Sequence, residues 1–329
     1  MHKVFLVLSI LFIGLFVTAQ SKDSTIYYTD YSQHFALSAY GIQKIGTLTI
    51  EDTNSEKKLH YLPNKNLNLG LFGQYKWIGL GIAVNFFPNM NVDKYGKSTS
   101  LNLGLTLTPK KWLIGFNLSF NRGMYLQNAD EVINKWDGKS YHSMDSLSVA
   151  NFNIGVLRVL NKNFSYKAAY SANQIQHKSA GSTLLGGFLS SYALSTDESL
   201  VPQEVHQNFA TADSIRSLGL FSFGISGGYT YTFVIKKKFF INLYLVAHLG
   251  AQTVNIKDQN EVILNPSDEA QLTTGYQFKT SLGYNTDKWI AGLRYSTNAY
   301  SIKGISEADV QYDSNVFRIY FGYRFGKTK

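Results

Sequence analysis

The chain has 329 residues, with 31 Lys and Arg against 22 Asp and Glu, a formal charge of +9. It contains no Cys, which excludes a disulfide-stapled secreted scaffold. Beyond residue 19 no apolar run reaches the roughly 20 residues that a membrane helix needs.

Residues 1–19 read as a cleaved secretory signal. Lys3 precedes the apolar VFLVLSILFIGLFV, and Val17-Thr18-Ala19 fits small-residue cleavage before Gln20. An uncleaved anchor is the alternative. No Cys follows the apolar stretch, so a lipoprotein is excluded. Export also argues against nucleic acid as the partner of a basic chain, and leaves anionic lipid or a cationic lumen. Residues 20–33 are polar and Tyr-rich, a periplasmic lead-in or a short internal plug.

From residue 34 to 326 the chain alternates with period two, the strand signature. LNLGLTLT (101–108) and WLIGFNLSF (112–120) set Leu, Ile and Phe on one parity and Asn, Gly, Ser and Thr on the other. FSFGISGGYTYTF (221–233), FFINLYLVAHLG (239–250) and FRIYFGYRF (317–325) repeat the pattern. The aromatic content of 15% and the 27 Gly against 5 Pro suit strands. A polar face of Asn, Ser, Thr and Gly rather than acids suits a lumen. Apolar-out, polar-in strands with aromatic girdles mark a transmembrane barrel.

Strands are predicted at 34–42, 66–75, 77–87, 97–108, 111–121, 147–160, 164–174, 218–234, 238–253, 270–284, 288–299 and 314–326. Short and long connections alternate between them, as in an antiparallel up-and-down β-barrel of about 12 strands with short periplasmic turns and long outer loops. LLGGFLSSYAL (184–194) looks like strand but would break the parity, so it is assigned to the long fourth loop. Trp77, Trp112 and Trp289 fall near turns, as an interfacial girdle would.

The polar parity supplies the candidate lumen lining: Lys167, Asn242, Tyr244, His248, Lys279, Arg294 and Arg318. A charge on the lipid face near the midplane would cost about 2–4 kcal/mol. The cations need partners, either loop carboxylates folded inward (Glu131, Asp137, Asp145, Glu204, Asp258) or anions in a wet lumen. Lys178, Ser179, Gly181, Leu184, Gly186 and Gly187 are read as a gate or plug loop with glycine hinges. His248 with Ser222 or Ser226 lacks an orienting carboxylate and faces the lumen, so no catalytic residue is assigned. The other histidines lack metal-ligand spacing, so no metal or cofactor is expected.

KKLHYLPNKNLNLGLFGQYKWIGLGIAV (57–84), PKKWLIGFNLSFNRGMYL (109–126), YTFVIKKKFFINLYLVAHLG (231–250) and LGYNTDKWIAGLRY (282–295) resemble the domain of unknown function 4421 family. The resemblance implies an exported outer-membrane-type barrel, mainly of Bacteroidota, and assigns no activity. The functional expectation is a passive channel or structural envelope component of the outer membrane with a cationic lumen. The alternatives are a lipid-modifying enzyme and a loop-borne surface adhesin. Expected partners are outer-membrane lipids, lipopolysaccharide and the barrel-assembly machinery.

Overall fold

The computed structural model describes residues 26–52, 57–64, 67–89, 91–171, 173–209, 213–264, 269–300 and 308–326. The predicted signal segment, residues 1–19, and residues 20–25 lie outside the described residues.

In chain order the described strands are β1 (Tyr28–Asp30), β2 (Phe35–Asp52), β3 (Lys58–Leu62), β4 (Leu67–Tyr75), β5 (Ile78–Asn85), β6 (Thr99–Leu107), β7 (Trp112–Leu126) and β8 (Ser143–Val159). They continue with β9 (Gln174–Gln176), β10 (Ala180–Ser195), β11 (Ser217–Ile235), β12 (Phe239–Lys257), β13 (Gln271–Asn285), β14 (Trp289–Tyr300) and β15 (Ala308–Phe325). Twelve of them form one antiparallel meander, β2-β4-β5-β6-β7-β8-β10-β11-β12-β13-β14-β15. It closes where Phe35 to Asp52 of β2 pair with Phe325 to Ala308 of β15. Closure pairs every stave on both edges, the only way a sheet can stand in hydrocarbon, where unpaired N–H and C=O groups are costly. No described helix is long and apolar enough to cross a membrane.

Sidedness follows the alternation. Along β12, Phe239, Leu243, Leu245 and Leu249 point outward and are exposed, while Phe240, Asn242, Tyr244 and Val246 between them are buried. Phe223 and Ile225 on β11, Leu282 on β13, Leu293 on β14 and Phe317, Ile319 and Phe321 on β15 continue the belt. An apolar surface running right round the wall is the exterior of a membrane-spanning barrel. Trp77, Trp112 and Trp289 are exposed beside short turns, and Trp289 packs on Tyr323 at 4.5 Å between ring centroids. That is the girdle position.

Toward the long-loop end the polarity reverses. Past Ala251, the outward residues of β12 become Thr253, Asn255 and Lys257, while Val254 and Ile256 turn inward. On β2 the outward residues become Thr47, Thr49 and Glu51, and Leu48 and Ile50 are fully buried. Leu126, Met144, Leu147, Val149 and Leu218 join them, with Leu200, Val201, Val205, Phe209 and Ile215 from the connection after β10. The outer part of the barrel is therefore built like a water-soluble domain, apolar inside and polar outside. The β2 extension is long enough to recruit β3, which bridges from β2 to β7.

The short turns are basic. Lys236 and Lys237 both have positive φ, 50° and 59°, the type I′ geometry whose twist suits a two-residue hairpin. Lys76 and Lys110 adopt the same left-handed region.

Two segments differ from the sequence expectation. Residues 164–174, predicted as a strand, contain the short helix Tyr166–Tyr170 and lead into β9. Their stave is supplied by β10, whose LLGGFLSSYAL pairs with both β8 and β11. The count of twelve stands because one segment replaces the other.

Because the apolar exterior of β12 runs from Phe239 to the inversion near Ala251, Leu245→Arg, near its middle, should lower unfolding stability in lipid by about 2–4 kcal/mol and Thr253→Arg by under about 1 kcal/mol. Urea titration of both variants in vesicles, read by the folded band on unheated gels, checks this.

Candidate functional site

The lumen is occupied from the short-turn end by residues 160–179. Ser165 caps the helix Tyr166–Tyr170, accepting from Ala168 N at 3.1 Å, and Tyr166 stacks on Tyr170 at 4.6 Å. After this helix, β9 pairs antiparallel with β1 of the N-terminal lead-in. The helix and the two-stranded sheet together form a plug. Gln176 stitches it internally, donating from Nε2 to Asn163 O (2.8 Å) and accepting from Ser165 N (2.8 Å).

The plug is bonded to the wall through its carbonyls. Asn285 Nδ2 donates to Ala168 O and Gln174 O, both at 3.0 Å. Arg324, 1% exposed, donates to Gln174 O, to Thr286 O and to Asn285 Oδ1. Arg294 donates to Ala169 O at 3.1 Å, and Asn173 Nδ2 to Lys76 O at 2.8 Å. On the lead-in side Tyr31 donates its hydroxyl to Asp287 at 2.7 Å. Burial, helped by that carboxylate, pushes the Tyr31 phenol up to about 12.

Between the plug and the apolar core of the loop end lies a polar chamber of about 320 Å³. Tyr166, Tyr170 and Ser171 bound it on the plug side, Tyr192 and Leu220 on the other. Four adjacent staves give it cations: Lys279 on β13, Arg294 on β14, Arg318 on β15 and Lys44 on β2. The opposite four staves give it amides and hydroxyls: Asn102 on β6, Asn117 and Ser119 on β7, Asn151 and Asn153 on β8, and Ser190 on β10. Among the described residues that line it, none is Asp or Glu.

The cations are crowded. Arg294 and Arg318 are direct cross-strand partners, a register in which like charges repel. Tyrosine faces offset part of this. Arg318 lies 4.3 Å from the Tyr40 centroid, Arg294 4.8 Å from Tyr170, and Lys279 4.7 Å from Tyr244. Lys44 Nζ reaches Asn102 Oδ1 at 2.8 Å. The expected pairing with loop carboxylates does not occur among the described residues. The ion pair there is Lys58–Glu51, and His206 Nδ1 also lies 3.3 Å from Asp213 Oδ2. Asp137, Asp145 and Asp258 instead accept backbone N–H groups within or between loops, and Glu131 accepts from Asn128. These acids stay with the water-facing end of the barrel.

Of the other predicted lining residues, Asn242 and Tyr244 are buried on the inner face. Asn242 Nδ2 bonds Thr232 Oγ1 at 2.8 Å, inside the wall. Lys167 is on the plug helix rather than on a strand. Burial pushes its ammonium down, and Asp30 opposes the shift. His248 Nδ1 lies 2.8 Å from Ser226 Oγ, and its ring packs on Phe188. The predicted gate residues are in or beside a wall strand, not in a loop. Gly181, Leu184, Gly186 and Gly187 are paired within β10, with Lys178 and Ser179 just before it. The glycines allow close strand packing: a Cβ on Gly186 would collide with the Val156 carbonyl.

The molecule is thus a membrane-spanning β-barrel with a plugged, cation-bearing lumen. Over residues 21–325 the chain matches the family described as domain of unknown function (DUF4421), and it belongs to that family. No curated protein matches it. Among solved structures it is similar to the beta domain of the Bordetella autotransporter Brka, at 8% identity and TM-score 0.42 over 89% of this chain and 100% of that one. It is also similar to an outer membrane channel from Pseudomonas putida F1, at 8% identity and TM-score 0.39 over 93% and 100%. Likeness at this level carries nothing about activity.

Asn285→Ala should leave two plug carbonyls short of a donor, costing about 1–3 kcal/mol, and raise hydrogen exchange across 164–176 while the staves keep their protection. Gly186→Ala should lower barrel stability by about 1–3 kcal/mol through overpacking, whereas Gly115→Ala, with nothing within 4 Å of the new Cβ, should not. Unheated-gel titrations of the two variants separate a packing glycine from a hinge.

Proposed function

We propose that this protein is an outer-membrane passage for small anionic solutes, held shut at the short-turn end by its plug and at the loop end by the apolar core around Leu48, Ile50 and Phe209. The observation that carries the reading is the cluster Lys44, Lys279, Arg294 and Arg318, which faces one chamber with no carboxylate among its described lining. A structural barrel would gain by neutralising or removing these charges, since uncompensated buried charge is costly. A ring of cations lining a wet path favours anions. The short turns then face the periplasm and the long loops the outside. Lipopolysaccharide contacts the outer rim, and the barrel-assembly machinery inserts the chain after its signal is removed.

In this reading the amide wall keeps the path wet and uncharged. Passage requires two openings: the plug helix must leave its carbonyl anchors, and the apolar core at the loop end must part. The Ser226–His248 pair supports a second reading, an acyl-transfer enzyme. It is the weaker one, because the pair is on the inner face midway along β12, away from the lipid where an acyl substrate would lie.

Full-length protein in planar bilayers should give small, intermittent currents whose reversal potential favours anions. The double variant Lys279→Glu, Arg318→Glu should move that potential toward cations. Cation preference in the unmutated protein, or steady silence in both it and Asn285→Ala, would defeat the passage reading.

A further inference from the structure

We infer that the chamber is a binding site for a single hydroxylated anion of monosaccharide size, a sugar acid or a sugar phosphate. The inference rests on the passage reading and names its solute class. It comes from the confinement of the cations to one side of a chamber whose amides and hydroxyls lie on both, Gln277, Asn298 and Ser314 being among those on the cationic side. The β13-β14-β15-β2 wall offers two guanidiniums and two ammoniums, and guanidinium forks match carboxylate and phosphate oxygens. Arg294 and Arg318 both line the chamber, and their buried Nε atoms have no hydrogen-bond partner among the described residues. An inorganic anion would need this wall and no more.

The facing β6-β7-β8-β10 wall is not needed for charge. Its Asn and Ser side chains each carry both donor and acceptor capacity, as sugar hydroxyls do. Ser190 Oγ already orients Asn153 by donating to its Oδ1 at 2.6 Å. Lys44 donates to the Oδ1 of Asn102 at 2.8 Å, which orients that amide too. A neutral sugar would need only this second wall. At about 320 Å³ the chamber is at the small end of ligand pockets, which run from roughly 300 to 1,000 Å³. One monosaccharide unit fits such a space better than an oligosaccharide.

The test refolds the full chain from urea into detergent with glucuronate, glucose 6-phosphate, glucose, inorganic phosphate or acetate, so that the chamber closes with the probe present. Retained probe is then measured by native mass spectrometry after gel filtration, and thermal stability is measured in parallel. Glucuronate or glucose 6-phosphate should be retained and raise the melting temperature, and the comparison of these two identifies the charged group. Glucose, phosphate and acetate should each be held at least about tenfold more weakly, the worth of one lost charge-assisted contact. Arg318→Gln and Asn117→Ala should each reduce retention by about that factor while giving a folded band on unheated gels, and Asn153→Ala replaces Asn117→Ala if that variant fails to fold. Phosphate or acetate held as well as the hydroxylated anions would overturn the inference, as would retention of none of the probes. A sugar acid held by a barrel that passes no current would keep the site and remove the passage reading. Anion current without preference among these probes would do the reverse.

Discussion

The constraint on which the rest depends is that a closed sheet leaves each stave only two surfaces, and their solvents change along its length. In the membrane zone hydrocarbon lies outside, so Leu243, Leu245 and Leu249 face out and Asn242 and Tyr244 face in. A few residues further on, water lies outside, and the same strand turns Val254 and Ile256 inward. The backbone ladder runs through both zones without a break, as the continuous β11–β12 register from Ser217–Lys257 to Ile235–Phe239 shows. Fold and sidedness are thus separable: pairing sets the cylinder, and local solvent sets which parity is apolar. The apolar core above the chamber follows, because loops docking on an apolar inner face must bring apolar residues of their own, such as Leu200, Val205 and Phe209.

Staves with hydrocarbon on one side and a wet lumen on the other are legible in the sequence. β11, β12 and β15 have one apolar and one polar face, and period two reports that directly. The strand character of β10 is also legible, although Leu184 packs against the plug and Tyr192 and Leu194 against the loop-end core while Leu185 faces out. It loses its place as a stave because 164–174 is counted and an even number admits only one of the two. The plug reads as a strand for a simple reason. Tyr166 and Tyr170, one helical turn apart, also share a strand parity, so a short segment fits both periods. The signals that distinguish it are local: Ser165 as a cap and the Ala168-Ala169 pair. Parity finds most of the cations one by one. Their gathering on four neighbouring staves opposite an amide wall depends on register and closure, which a sequence does not display.

The charge cluster and the plug are not independent parts. Arg294 donates to the Ala169 carbonyl of the plug helix and lies over Tyr170, while it also faces the chamber and Arg318. A guanidinium has five donors, so one group can anchor the plug and still present N–H to a solute. The plug gains from this in turn, since its carbonyls and tyrosine faces are negative partners in a lumen short of carboxylates. The repulsion between Arg294 and Arg318 is shared out to the wall rings Tyr40 and Tyr320 and to the ring of Tyr170 and carbonyl of Ala169 in the plug, not to acids.

The arrangement determines which residue reports on what. Truncating Arg294 removes a plug anchor and a chamber cation together, so a change in current or in solute retention would not say which mattered. Arg318 packs on Tyr40 of the wall, so its loss acts on the chamber before it acts on the plug. Asn285 is the converse, bonded to two plug carbonyls and lying outside the chamber lining. Plug and chamber can therefore be perturbed separately, although Arg294 joins them. Had the cations been neutralised by wall acids, neither the plug's attachment nor the chamber's charge would depend on the other.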